Sequence, residues 1–268
     1  MSVATVHAVL DWPALRSRLS YFKQRVLEAD PAFTDAMHRI VAHVRSVALT
    51  TESDRFDYVR HWVHLNSVHL VDEAHDRYSS KTHVVLPMLW SRHLGAGEAP
   101  HLACGSRAFA MKAILNRLGS SSRVVDVFKV FPSGLVQTHT FLEVWNGSIG
   151  SWEVQDPDYD IAYRDLRTGR RASVAQLVAD DTGQVEPFNQ VGRGWTQLDL
   201  PGLRGYFRIA VYRLSYEGER SIAVIHSSRL RPGFTVRSRG EEMGVVDFLK
   251  KHAHVASIQD ETGREVGK

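Results

Sequence analysis

Three residues of this chain have the types and order that acyl chemistry needs: Cys104, His139 and Asp156. Cys104 is the single cysteine, set in Leu102-Ala103-Cys104-Gly105-Ser106-Arg107-Ala108-Phe109. One thiol makes no intrachain disulfide and does not supply the paired thiolates of a typical zinc or iron–sulfur site. The roles left are an inert buried thiol or a nucleophile. After it, Ala108, Met111, Leu115 and Leu118 recur at helical spacing and Gly119 closes the run, so the sulfur is expected in a helix's first turn. Unsatisfied backbone N–H groups and the positive end of the helix dipole favour thiolate over thiol there, and the same N–H groups can hold an oxyanion. A thiolate acting on an acyl group also needs an imidazole within hydrogen-bond reach, oriented in turn by a carboxylate or amide.

His139 and Asp156 belong to segments that read as strands. Residues 123–130, 138–145 and 151–156 are rich in β-branched and aromatic side chains, and Phe131-Pro132-Ser133-Gly134 and Asn146-Gly147-Ser148 separate them as turns. If Asn146-Gly147-Ser148-Ile149 is a four-residue loop, Trp145 opposes Gly150 and His139 directly opposes Asp156. The face they share also carries Phe141, Trp152 and Val154, so it is expected to pack on the preceding helix and bring the imidazole to Cys104. A five-residue loop would shift the pairing by one and send the two side chains to opposite faces.

Helices are expected over residues 12–27 and 31–47 from the spacing of Leu15, Leu19, Phe22, Val26 and of Phe33, Met37, Ile40, Val44. A third begins at the cap candidates Thr51 and Ser53 and runs through Phe56, Val59, Val63 and Val68. Its His61, His64 and His69 lack a converging third ligand and read as a polar helix face, not a metal site. His75, His83, His93 and His101 read the same way, in a loop-like stretch that includes Pro87, Gly95 and Gly97. Beyond Pro157 the pattern supports a short helix at 174–179, an irregular stretch near Gly192-Arg193-Gly194 and strands at 206–214 and 222–226. A helix over 244–254 precedes a polar tail expected to be mobile. One domain of residues 1–268 is expected: a core over about 55–165, a helical N-terminal extension 1–54 and a mixed C-terminal extension 166–268.

The 268 residues carry 33 basic and 30 acidic side chains, a net charge of +3, so nucleic acid is not an expected partner. The arginines of 164–171 and 229–239 read as solvated loop or edge charges. No segment approaches the ~18 apolar residues that cross a bilayer, the N-terminus lacks the pattern of an export signal, and no disulfide pair exists. A cytoplasmic setting without membrane partners is therefore expected; oligomeric state is not legible.

The ordered set Cys104-Gly105-Ser106-Arg107-Ala108-Phe109-Ala110, Ile114-Leu115, Leu118-Gly119, Ser122-Arg123-Val124-Val125, His139-Thr140-Phe141-Leu142-Glu143-Val144-Trp145 and Asp156-Pro157 resembles the transglutaminase-like superfamily over roughly residues 55–165. The resemblance implies an α+β, papain-like core with a catalytic helix packed on an antiparallel sheet. It also implies a triad of Cys104 as nucleophile, His139 as base and acid, and Asp156 orienting His139. The oxyanion would be held at Cys104, with the Trp90 indole a second candidate whose competing role is core packing; Glu143 is assigned to structure. No cofactor or metal is expected. The substrate would be a peptide, protein or small-molecule amide or other acyl compound. Hydrolysis of the cysteinyl thioester is the first expectation, transfer to an amine the second, and a non-catalytic interaction module the third.

Overall fold

A computed structural model describes residues 30–70, 76–78, 81–131, 133, 135–189, 205–213, 221–230, 233–238, 240–253 and 255–266. The helix expected at 12–27 and the stretch around Gly192 lie outside them, as does His75. Helix α1 (Pro31–Ser46) starts on an Asp30 cap, whose carboxylate accepts from Ala32 N–H at 2.9 Å. Helix α2 (Glu52–Leu65) starts on a reciprocal capping box: Thr51 Oγ1 accepts from Asp54 N–H, and the Asp54 carboxylate accepts from Thr51 N–H, each at 3.0 Å. It stops short of Val68, because Asn66 Nδ2 and Ser67 Oγ fold back to donate to the Trp62 and Val63 carbonyls. Val68–His69 instead forms a short strand, β1, parallel to β2 (His101–Leu102).

Residues expected as loop form α3 (Thr82–His93), with Pro87 inside it. Proline removes one helical hydrogen bond, but burial of Val85, Leu86 and Leu89 on one face outweighs that local cost. Helix α4 (Cys104–Arg117) buries Ala108, Met111, Ile114 and Leu115. It closes on Gly119, at φ 93°, with Gly119 N–H donating to Asn116 O and Ser120 N–H to Leu115 O. Those two bonds satisfy carbonyls that the helix end would otherwise strand, in a conformation that glycine adopts without a Cβ penalty.

The chain is mixed α+β. Its main sheet takes its strands in the spatial order 255–260, 221–225, 209–213, 122–130, 136–146, 151–156, 161–165 and 185–188. Strands β3 (Ser122–Val130), β4 (Val136–Asn146) and β5 (Ser151–Asp156) form the expected antiparallel meander, joined by β6 (Ile161–Asp165), β7 (Val185–Phe188), β8 (Ile209–Arg213) and β9 (Ser221–Ile225). The expected tail supplies β12 (Val255–Asp260), which runs parallel to β9 at the sheet edge and buries Ile258. Before it come a hairpin, β10 (Thr235–Ser238) with β11 (Glu241–Gly244), and a helical segment made of α6 (Val245–Phe248) and a π turn (Leu249–Ala253).

Alternation along β4 divides the core. Leu142 and Val144 face α1–α4 and join their cluster. Phe141, with Val125, Val127 and Val154, faces the other way, toward Tyr163, Phe207 and Leu177 of α5 (Val174–Ala179). The His139–Phe141 face therefore does not pack on the body of α4, contrary to expectation; both faces of this sheet are apolar, and the helices took the opposite one. Arg171 also departs from its expected solvated role, turning inward to pair with Asp57 of α2.

Candidate active site

Cys104 is the first residue of α4 and is 8% exposed. Ala103, the N-cap, offers no side-chain cap. Asp76 substitutes from a distant loop: its Oδ2 accepts from Ala103 N–H at 3.0 Å and from the Ser106 hydroxyl at 2.6 Å. The sulfur thus occupies the helix turn where dipole and N–H groups favour negative charge.

The β4–β5 hairpin is built differently from the expected one. Asn146 pairs with Ser151 and Trp145 with Trp152, so the four-residue loop is Gly147 to Gly150, with Gly150 at φ 65°. The register is displaced by two residues from the one that sets His139 against Asp156. An even displacement preserves the face, because side chains alternate with a period of two. The ladder ends at Leu142↔Gln155, where β5 leaves β4 and Asp156 pairs with Ile161 of β6. His139 and Asp156 still meet: Nε2 and Oδ2 are 2.7 Å apart.

His139 is 4% exposed, and its ring also hydrogen-bonds with the Cys104 side chain. With Nε2 on the carboxylate, Nδ1 is the nitrogen left for the sulfur. Burial of the ring disfavours its charge, but the Asp156 carboxylate first and Cys104 second outweigh that, and the imidazole pKa lies well above its usual value. Phe141, Tyr159 and Tyr206 surround the ring, with ring centroids at 5.9, 4.8 and 6.0 Å. Burial, with Cys104 nearby, pushes the Tyr206 phenol up to about 12.

Asp156 is held as tightly as it holds. Its Oδ1 accepts from the backbone N–H groups of Asp158 and Tyr159 at 3.0 and 3.2 Å, the turn that follows β5. That turn is anchored to the helices at several points. Arg107, one turn along α4 from Cys104 and fully buried, donates from Nη1 to the Asp158 carbonyl at 2.9 Å and carboxylate at 3.1 Å. His64 Nδ1 bonds the Asp158 carbonyl, His61 Nδ1 pairs with Asp160, and Arg60 Nε also reaches Asp160. The histidines expected to form an idle polar face thus bind the Asp158–Asp160 turn. Burial pulls the Arg107 pKa down, opposed by Asp158, Asp156 and Cys104 in that order.

The Trp90 ring meets those of His43 and His93 and packs against the helical-layer cluster, the packing role weighed for it. Glu143 has the structural role expected of it: fully buried, it accepts from Arg123 and from the Val174 N–H that opens α5. Sequence reasoning missed Arg107, Asp158, His69, Tyr159 and Tyr206. A signal existed for two of them, an arginine in the first turn after Cys104 and the acidic run Asp156-Pro157-Asp158-Tyr159-Asp160. Among the described residues no three His, Cys, Asp or Glu side chains converge as a metal ion would need, and no helix is long and apolar enough to cross a membrane.

No family model and no curated protein matches this chain. Among solved structures, one described as a crystal structure of a TGase is similar at 13% identity and a TM-score of 0.32. The match covers 53% of this chain and 37% of that one, little more than a third of its length. A likeness of that size assigns neither a family nor an activity to this chain.

Proposed function

We propose that this chain is a thiol-dependent acyl-transfer enzyme with Cys104 as nucleophile, His139 as acid and base, and Asp156 as the group that orients His139. The observation that carries this reading is the double engagement of one buried imidazole, Nε2 on Asp156 at 2.7 Å and a hydrogen bond to a sulfur at a helix start. In the first step the Cys104 sulfur attacks the carbonyl of an amide, peptide, ester or thioester. The backbone N–H of Cys104 takes the oxyanion, the ring proton of His139 goes to the leaving group, and a thioester remains on the enzyme. Water then releases an acid, as in an amidase or peptidase. A second outcome, transfer to an amine, is favoured by the seclusion of the pair behind Phe141, Tyr159 and Tyr206, since a dry thioester survives to meet a slower acceptor.

Alkylation separates this reading from a non-catalytic interaction module. Iodoacetamide near neutral pH should modify Cys104 at least tenfold faster in the wild type than in His139→Ala, scored by intact mass. Equal rates would leave the thiol without an activating partner and end the proposal.

A further inference from the structure

Asp156 is not the only carboxylate of its turn to hold an imidazole. Asp158, two residues on and 3% exposed, accepts from His69 Nδ1 at 2.9 Å through Oδ1. Asp156-Pro157-Asp158 therefore carries two histidine–aspartate pairs, one sealed at the sulfur and one open, since the His69 side chain is 41% exposed. Two observations set His69 at the rim of the same site. Its backbone pairs with Leu102, two residues before Cys104, through the β1–β2 bridge. Its ring also lies 6.3 Å from that of Tyr159, whose ring lies 4.8 Å from His139.

We infer that His69 is a second general base of this site, serving the acceptor, water or a primary amine, that resolves the Cys104 thioester. This rests on the acyl-transfer reading above. The division of labour follows from access. His139 has one nitrogen on Asp156 and the other toward the sulfur, behind three aromatic rings. His69 has Nδ1 fixed on a buried carboxylate, which sets the ring so that Nε2 is the nitrogen offered to an incoming molecule.

As the acceptor's nitrogen or oxygen forms its bond to the thioester carbon, its proton passes to His69 Nε2. The tetrahedral intermediate then collapses, the C–S bond breaks and sulfur leaves as thiolate. His69 gives its proton to solvent and His139, neutral since the first step, takes one up, restoring the starting pair. Asp158 keeps the protonated His69 ring in place during the exchange, and Arg107 keeps Asp158 in place.

The experiment uses the full chain with 4-nitrophenyl acetate as acyl donor, with and without methylamine. It reads the nitrophenol burst for acylation and the steady rate for deacylation. In His69→Gln the steady rate should fall at least tenfold in one or both arms while the burst rate falls less than threefold. A loss confined to the methylamine arm would assign the base to amines, and a loss confined to water would assign it to hydrolysis. An unchanged steady rate, or an equal fall in both phases, overturns the role of His69. Nitrophenol release by the wild type no faster than by Cys104→Ala would instead defeat the acyl-transfer reading itself, and this inference with it.

Discussion

At the scale of single residues, the site turns on how strongly His139 keeps its proton. Desolvation works against the charged ring, while Asp156 and then Cys104 work for it, and the outcome is a pKa raised above its usual value. Removing either partner should move the balance by a different amount. By NMR titration the His139 midpoint is expected to fall in Cys104→Ala and to fall further in Asp156→Asn, since the carboxylate contributes both a charge and a hydrogen bond across 2.7 Å. A midpoint unmoved in both variants would mean that something else holds the proton. The identity of this pair was legible in the sequence because it needs only three residue types in order on a helix start and two strands. The register was not, since Asn146-Gly147-Ser148-Ile149-Gly150 accommodates more than one four-residue loop and nothing local selects between them.

At the scale of elements, Arg107 joins α4 to the β5–β6 turn and so fixes Cys104 relative to Asp156. Arg107 and Asp158 are both buried, so removing one strands the other; each of Arg107→Met and Asp158→Asn is expected to cost about 3–5 kcal/mol in urea unfolding. The double variant should cost less than the sum, with a coupling of about 0.5–3 kcal/mol. Strict additivity would show that the ion pair does not connect the two elements. Contacts of this kind escape a reading along the chain because their partners lie far apart in it. Helix α3 escaped for another reason: Pro87, Gly95 and Gly97 are local signals for loop, and the tertiary burial of Val85, Leu86 and Leu89 overrides them. Strands β3, β4 and β5 and helix α5 were legible, having a β-branched pattern or a Ser173 capping box with no competing signal. Strand β7, four residues with Pro187 among them, and β12, whose Val255-Ala256-Ser257-Ile258-Gln259-Asp260 reads as part of a polar tail, carry no comparable pattern.

At the scale of the molecule, histidines of opposite disposition give stability two limbs. His43 in the helical layer has its pKa lowered, by burial first and by His93 second. Below about pH 6.5 the unfolded chain therefore takes up a proton that the folded ring resists, and stability falls as pH falls. His139 is raised, so its contribution is full below about pH 6.5 and is lost as pH climbs through the folded value. Urea midpoints between pH 5 and 9 should show His43→Gln flattening the acid limb and His139→Gln flattening the alkaline one. An acid slope unchanged in His43→Gln would remove that histidine from the account. The solitary thiol at the start of α4 has a consequence of another kind. An oxidant small enough to pass the aromatic rings would convert Cys104 to a sulfenic acid, and this chain holds no second cysteine to condense with it. Recovery would depend on a thiol from outside reaching Cys104 past the same rings, so the packing of Phe141, Tyr159 and Tyr206 about His139 governs the protein's tolerance of oxidation as well as the access to its sulfur.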